Sequence, residues 1–267
     1  MMFRSSKGFH ESLAWEAAGA ACCRVAEVEN AQDGLFQQIA KPSHRTRTFM
    51  ETEIRDKPAF ANIRVKLGPG DRIIAEADAM ASMSSTINIQ TRWNGGLMRA
   101  VAKRFFGGES LFVNEFSTDS EGELVLTQPF PGDIECIELK GNAMFLQPGA
   151  FLACEPGVRL GLGWAGFRSF IGQEGLFRLR VSGNGRVWFG AYGGIFTREI
   201  GEEYVVDSGH LVGYEPSIRI RVGLAGGVVS SFLSGEGLVT RVIGPGRIYM
   251  QSRSFGGLAA WTNAHLY

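Results

Sequence analysis

Gly149-Ala-Phe-Leu-Ala-Cys-Glu-Pro156 and Gly209-His-Leu-Val-Gly-Tyr-Glu-Pro216 are two copies of one pattern, and they stand 60 residues apart. A looser copy precedes them at Gly70-Asp-Arg-Ile-Ile-Ala-Glu76. Similarity at a fixed spacing is typical of a structural unit that is repeated along the chain. The sequence therefore predicts about three copies of one unit.

A second pattern recurs in the same order and contains a glutamate in each copy. Its copies are Phe106–Leu111, Phe170–Leu176 and Phe232–Leu238, with Glu109, Glu174 and Glu236 at equivalent places. We interpret these glutamates as turn carboxylates that accept backbone N–H groups, rather than as an acidic ring. The same interpretation is given to the carboxylates of Glu155 and Glu215. A glycine and a new strand follow each copy, at Gly122, Gly185 and Gly246.

Alternation of apolar and charged residues gives the secondary structure of the unit. It is clear in Ile134-Glu-Cys-Ile-Glu-Leu139 and in Phe177-Arg-Leu-Arg-Val181. A period of two is that of a strand with one wet face. The 36 glycines among 267 residues indicate many tight turns between short strands. We predict an all-β fold, a β-sandwich or prism of three repeated strand units with internal pseudo-threefold symmetry.

One short helix is predicted near 96–106. Leu97, Met98, Val101 and Phe105 lie at helical spacing, and Asn94 is a suitable N-cap.

A change of composition at Pro58 divides the chain. Residues 1–58 are rich in alanine and mixed charges, whereas glycine-punctuated apolar segments begin at Phe60. We predict an N-terminal extension of uncertain order over 1–58 and a triple-repeat β domain over 59–267. Cys136 and Cys154 are expected to be reduced core residues of a cytoplasmic protein, because the sequence shows no secretory signal and no zinc-type cysteine spacing.

The charge balance speaks against nucleic acid as the partner. The chain has 27 Lys and Arg residues against 27 Asp and Glu residues, whereas nucleic-acid-binding domains usually carry a basic excess. Four arginines alternate on two predicted strands, and we interpret them as a solvated face rather than as an RNA-binding stripe: Arg178, Arg180, Arg219 and Arg221.

Several of these motifs resemble a known family. They are Trp93-Asn-Gly-Gly-Leu97, Arg104-Phe-Phe-Gly-Gly-Glu-Ser-Leu-Phe112, Pro148-Gly-Ala-Phe-Leu-Ala153 and Gly244-Pro-Gly-Arg-Ile-Tyr-Met-Gln-Ser-Arg253. Over about 59–255 the chain is similar to the Altered Inheritance of Mitochondria 24 family, a group of mostly bacterial proteins of unknown function. The resemblance implies a fold like that of the tryptophan RNA-binding attenuation protein, and chains that form trimers. The family's eukaryotic members are mitochondrial and linked to inner-membrane organisation. The resemblance implies no catalytic residues.

Three apparent sites were weighed and set aside. Gly161-Leu-Gly-Trp-Ala-Gly166 has dinucleotide-binding spacing, but that motif works only between a strand and a helix. The residues Asp207, Ser208 and His210 are too close along one strand end to form a catalytic triad. A metal site needs two or three histidines with a carboxylate, and only His210 lies within the repeats. We therefore predict no catalytic, cofactor-binding or metal-binding residues, and a structural role for His210.

The apolar, glycine-rich loops of the three units are the predicted interaction surface, with a protein partner or a membrane surface as the occupant. Its residues are Leu97, Met98, Arg99, Lys103, Arg104, Trp164, Phe167 and Val228. The alternative is that these side chains plug the open end of the core. The function predicted from sequence is a non-enzymatic homo-oligomeric scaffold or interaction protein, a trimer. A small-molecule or metal-binding protein with a site at the subunit junction is the alternative.

Overall fold

The structure is a computed structural model that describes residues 50–92, 113–147, 149–164, 177–224 and 238–266. Within these ranges the chain forms antiparallel strands, a short 3-10 turn at Ser208–His210 and the helix α1 at Phe255–His265. The strands are β1 (Glu51–Arg55), β2 (Asn62–Leu67), β3 (Arg72–Glu76), β4 (Met80–Met83), β5 (Asn88–Arg92), β6 (Val113–Ser117), β7 (Gly122–Thr127), β8 (Gly132–Leu146), β9 (Phe151–Cys154), β10 (Val158–Trp164), β11 (Phe177–Tyr192), β12 (Ile195–Ile200), β13 (Glu203–Asp207), β14 (Leu211–Tyr214), β15 (Arg219–Leu224), β16 (Leu238–Ile243) and β17 (Gly246–Gln251).

The all-β prediction is confirmed. The predicted helix near 96–106 lies outside the described residues, and α1 was not expected from the sequence. Alternation explains the strands: in β2 the side chains of Ile63, Val65 and Leu67 are buried while those between them face water. Burying one face of each strand is the main apolar stabilisation of such sheets.

The strand pairings follow one scheme three times along the chain. We label the six strand positions of a unit a to f. They are β2 to β7 in unit 1 and β12 to β17 in unit 3. In unit 2 the long strand β8 covers positions a and b, β9 is c, β10 is d, and β11 covers e and f. In every unit a pairs with f, f with c, b with e, and e with d. The pseudo-threefold symmetry of the units stays a prediction.

The pairings correct one equivalence drawn from the sequence. β9 and β14 both occupy position c, as their shared pattern indicates. The looser copy at 70–76, however, forms β3 at position b. Position c of unit 1 is β4, which pairs with β7.

A turn after position c is built in the same way in all three units. The side chains of Ser84, Glu155 and Glu215 each accept a backbone N–H from the start of position f, at 2.9, 2.8 and 3.0 Å. The predicted role of the Glu155 and Glu215 carboxylates as acceptors of backbone N–H groups is therefore confirmed. Glu109, Glu174 and Glu236 lie outside the described residues.

Neighbouring units share a sheet because position b of one unit pairs with position c of the next. β3 pairs with β9, and β8 pairs with β14. At each junction, apolar side chains of the following unit also enter the core of the preceding one. Leu152 and Trp188 of unit 2 pack in the core of unit 1, and Val212 and Tyr249 of unit 3 pack in the core of unit 2. The three units are thus joined by continuous sheets and shared cores.

The β domain begins before Pro58, where the sequence placed its boundary. β1 pairs along its length with β2, and the compact unit that contains these strands covers Thr48–Tyr267. β1 is therefore part of the first sheet. Residues 1–49 lie outside the described residues, and the order of that extension remains a prediction.

Candidate interaction surface

The helix α1 is an exposed element with several large apolar side chains. It begins after Ser254, whose Oγ accepts the backbone N–H of Gly257 at 3.1 Å. A serine at this position satisfies one of the free N–H groups of a first helical turn. Near the other end, Nδ1 of His265 lies 2.7 Å from the carbonyl oxygen of Trp261, and the two rings stack. Local hydrogen bonds therefore define both ends of the helix.

Aromatic rings attach the start of α1 to the strands. The ring of Phe255 stacks on that of Tyr192 at 5.0 Å and meets the edge of Phe130 at 4.8 Å. Offset and edge-to-face ring pairs of this kind add about 0.5–1.5 kcal/mol beyond the area that they bury. The anchor fixes the first turn of the helix against the end of β11.

The rest of α1 covers no core. None of its residues is buried: Leu258 and Trp261 are 44% and 63% exposed, and Leu266, directly after the helix, is 71% exposed. His265 is its single ionisable residue. Contiguous exposed apolar surface usually marks an interaction site. The helix is the candidate that the structure offers, and sequence reasoning missed it.

The structure describes little of the surface predicted from sequence. Leu97, Met98, Arg99, Lys103, Arg104, Phe167 and Val228 lie outside the described residues. The backbone of Trp164 ends β10, opposite Phe177 of β11. The three loops do connect equivalent strands, because each follows position d and precedes position e. That their side chains form an interaction surface stays a prediction, with a plug at the open end of the core as the alternative.

The four alternating arginines do not share one solvated face. Arg178 is buried, and its guanidinium lies 5.2 Å from the ring centre of Tyr214. This part of the prediction was wrong, because Tyr214 on β14 of unit 3 packs against the Arg178 guanidinium. Arg180 is exposed and donates to the Oγ of Ser182 at 3.2 Å. Arg219 and Arg221 are exposed on β15, in a different sheet.

The Asp207–His210 segment has a local structural role. Oδ1 of Asp207 accepts the backbone N–H of Gly209 at 3.1 Å and so caps the 3-10 turn. Nδ1 of His210 lies 2.7 Å from the carbonyl oxygen of Gln251, while its Nε2 is 3.8 Å from Asp207. These contacts tie the turn to β17, as expected for a structural histidine.

Two other candidates from the sequence, the start of the glycine motif and Cys154, lie in a strand and in the core. Gly161 and Gly163 lie within β10 and pair with β11, so they do not form the strand-to-helix turn of a dinucleotide site. Cys154 is fully buried, and burial raises the pKa of its thiol to about 12. In the part of the chain that the structure describes, no three His, Cys, Asp or Glu residues are grouped closely enough to hold a metal ion.

One of the two buried carboxylates among the described residues is Asp133, at the start of β8. Burial raises its pKa, while Lys57 at 3.6 Å opposes that rise. Its Oδ1 accepts the backbone N–H of Ile134 at 2.8 Å. Lys57 also reaches Glu135 at 3.4 Å. The group connects the segment before β2 to β8 and is a structural ion pair.

The fold and its surface define an all-β protein of antiparallel sheets with an exposed apolar helix. The model of the family described as Mitochondrial biogenesis AIM24 matches residues 52–253. The chain belongs to this family, which confirms the resemblance seen in its motifs. α1 lies beyond the matched residues.

Two similar proteins come from Streptococcus pyogenes. An uncharacterized protein of serotype M6 is 27% identical over 219 residues, which cover 78% of this chain and 87% of the relative. The crystal structure of the protein SPYM3_0169 superimposes with a TM-score of 0.67 at 25% identity, covering 81% of this chain and all of that one. Among the described residues there is no helix of the length and apolar character needed to cross a membrane.

Proposed function

We propose that this chain is a non-enzymatic, homo-oligomeric interaction protein that acts as a scaffold. The observation that carries the proposal is the apolar surface of α1, where Leu258 and Trp261 face solvent in the single chain. Exposing such side chains is unfavourable, because apolar surface costs roughly 25 cal/mol per Å² in water. Association of copies would remove that surface from water.

The polar groups of the described residues are consistent with this role. The carboxylates and the histidine that attracted attention in the sequence hold turns and strand ends together. A trimer with a fold like that of the tryptophan RNA-binding attenuation protein, located in the cytoplasm, remains the specific form of the proposal. Closed symmetric assemblies are the usual arrangement of soluble homo-oligomers.

Light scattering across a size-exclusion peak tests the proposal at low micromolar concentration. The expected mass is a multiple of the 29.1 kDa of one chain, three times that value for the trimer. The variant that carries Leu258→Ser and Trp261→Ser should dissociate at protein concentrations at least tenfold higher than the parent chain.

A matched control is Phe196→Ser, which removes a side chain of comparable exposure, 47%, from β12 rather than from α1. This variant should retain the parent mass. A monodisperse 29.1 kDa species from the unmodified chain would end the proposal, whatever the variants do.

A further inference from the structure

The pairing scheme of the units contains one junction that the described part of a single chain does not make. Position b of unit 1 pairs with position c of unit 2, where Ile74 lies opposite Cys154. Position b of unit 2 pairs with position c of unit 3, where Phe145 lies opposite Tyr214. The remaining strands of these kinds are position b of unit 3, which is β13, and position c of unit 1, which is β4.

Both remaining strands lie at sheet edges. Among the described residues β4 pairs only with β7, and β13 pairs only with β16. Their sheets, β1-β2-β7-β4 and β13-β16-β15, are the two separate smaller sheets of the structure. An edge strand presents backbone N–H and C=O groups that are ready to pair with another strand.

Burial shows what the missing junction leaves open. All four residues of β9 and all four of β14 are buried. In β4, which occupies the same position, Met80, Ala81 and Ser82 are exposed and Met83 is half-buried. In β13, Val205 is 45% exposed, although its equivalents Ile74 and Phe145 are half-buried.

The cores of the units agree with this pattern. Units 1 and 2 each receive buried side chains from positions c and f of the following unit, as described above. Among the residues that the structure describes, the core of unit 3 contains none from unit 1. At position f, Val125 of unit 1 is only half-buried, whereas its equivalents Trp188 and Tyr249 are 1% and 6% exposed. Within one chain, therefore, unit 1 does not cover unit 3.

We propose that β13 of one copy pairs antiparallel with β4 of a second copy, and that this strand pair joins the subunits. The inference rests on the proposed homo-oligomer and gives its copies a second contact, in addition to the α1 surface. The two junctions inside the chain fix the register: Val205 would lie opposite Met83, and Val206 opposite Ser82. The occupant is a second copy, because the chain already uses this strand pair twice to join one unit to the next.

The chemistry of the β4 edge fits association. Natural sheets commonly protect exposed edges with proline or with charged residues, especially lysine. β4 is Met80-Ala-Ser-Met83 and carries none of these. The pairing joins different surfaces on the two copies, so it continues from copy to copy until a ring closes. A ring of three would leave neither strand unpaired.

Disulfide trapping between two different chains tests the junction. Besides Cys136 and Cys154 the chain contains Cys22 and Cys23, and these two are first replaced by serine. One chain then receives Met83→Cys and another Val205→Cys. Mild oxidation of the mixture should give a two-chain species on a non-reducing gel, because directly opposed positions in a strand pair bring Cβ atoms within disulfide reach. Neither chain oxidised alone should give that product. The matched control mixes Val205→Cys with Ile89→Cys, which is 40% exposed on β5, and should give none.

Each result separates this inference from the proposed function. An oligomer by light scattering without the Met83–Val205 crosslink overturns the junction and leaves the proposed function standing. A chain carrying both cysteines that crosslinks only within itself also overturns the junction. A monomer by light scattering removes both proposals.

A second variant needs no disulfide. Val205→Lys places a charge at the open edge and should reduce the mass toward 29.1 kDa, while Ile89→Lys should not. An unchanged mass for Val205→Lys, together with a failed crosslink, would contradict the junction. Circular dichroism and the thermal midpoint of both variants confirm that they are folded.

Discussion

Glu155 receives both a backbone and a side-chain hydrogen bond from Arg186, at 2.8 Å from the N–H and 2.9 Å from Nε. The same guanidinium donates to the Oγ1 of Thr52 at 2.8 Å and to the carbonyl oxygen of Met50 at 2.6 Å. It also lies over the ring of Trp188. One arginine thus ties the turn after β9, the start of β1 and the core of unit 1 together.

Replacing this arginine should destabilise the chain strongly. The side chains of Arg186 and Glu155 are only 18% and 14% exposed, so Arg186→Met leaves a poorly solvated carboxylate without its charged partner. We expect a loss of about 2–4 kcal/mol in the free energy of unfolding. Urea denaturation followed by circular dichroism measures this loss.

The repeat supplies the matched control. Arg247 is the equivalent of Arg186 in unit 3 and pairs with Glu199, but these side chains are 47% and 66% exposed. Arg247→Met should cost about 1 kcal/mol or less, because exposed ion pairs contribute little. Equal losses for the two variants would show that burial of the Arg186 pair is not what matters.

A second prediction concerns the glycines at the start of position f. Gly246 has φ +151°, and a Cβ there would lie 3.1 Å from Cγ1 of Ile218. Gly246→Ala should therefore cost roughly 1–3 kcal/mol through backbone strain and crowding. Gly201→Ala is the control, since a Cβ at Gly201 meets nothing within 4 Å. The thermal midpoint of Gly246→Ala should fall by several degrees while that of Gly201→Ala stays near the parent value.

How much of this fold could be predicted from sequence depended on how alike the units are. Position c was recognised in units 2 and 3 because β9 and β14 share the Glu-Pro ending. It was missed in unit 1, where Ser84 takes the place of the glutamate and only the hydrogen bond to the backbone is retained. The alternation of apolar and polar residues indicated where strands form. It did not indicate which strands pair, because pairings such as β3 with β9 join residues that are far apart in the chain.

The interaction surface was harder to predict for a related reason. A surface helix is recognised in a sequence by apolar residues that recur at helical spacing among polar ones. Because α1 is apolar around most of its circumference, its sequence does not show this pattern. The one local signal is Ser254, a good N-cap, which is followed after one residue by Gly256 and Gly257. Glycines disfavour helix, so a sequence argument would not begin one there.

A third prediction follows from the pKa of Cys154. Burial raises the pKa of this thiol to about 12 in the folded chain, above its value of 9.0 when unfolded. The Cys154 thiol therefore contributes to the free energy of unfolding in a pH-dependent way. This contribution is fully present below pH 9 and is lost as the pH rises toward 12, because only the unfolded thiol ionises in that window. Relative to Cys154→Ala, the parent chain should lose about 1 kcal/mol of unfolding free energy between pH 8 and pH 10.

Urea midpoints of the two proteins at pH 8, 9 and 10 measure this difference. The comparison cancels the titration of tyrosine and lysine residues, which both proteins share. A constant gap between the two curves would mean that the thiol ionises equally well in the folded chain.

The last prediction tests the loop surface that the sequence indicates. Trp164 ends position d of unit 2, and Phe167 follows in the connection to position e. The basic residues Arg99, Lys103 and Arg104 belong to the equivalent connection of unit 1. If these loops form the working surface, the double variant Trp164→Ser with Phe167→Ser should keep its thermal midpoint and lose binding to vesicles that contain anionic lipid. Apolar side chains beside basic ones bind such interfaces through both burial and charge.

If the side chains instead plug the core, the thermal midpoint of the variant should fall by several degrees, since removing a buried aromatic costs about 3–5 kcal/mol. Cosedimentation with vesicles and a thermal melt of the same preparation decide between them, and a lowered midpoint with unchanged binding would end the surface hypothesis.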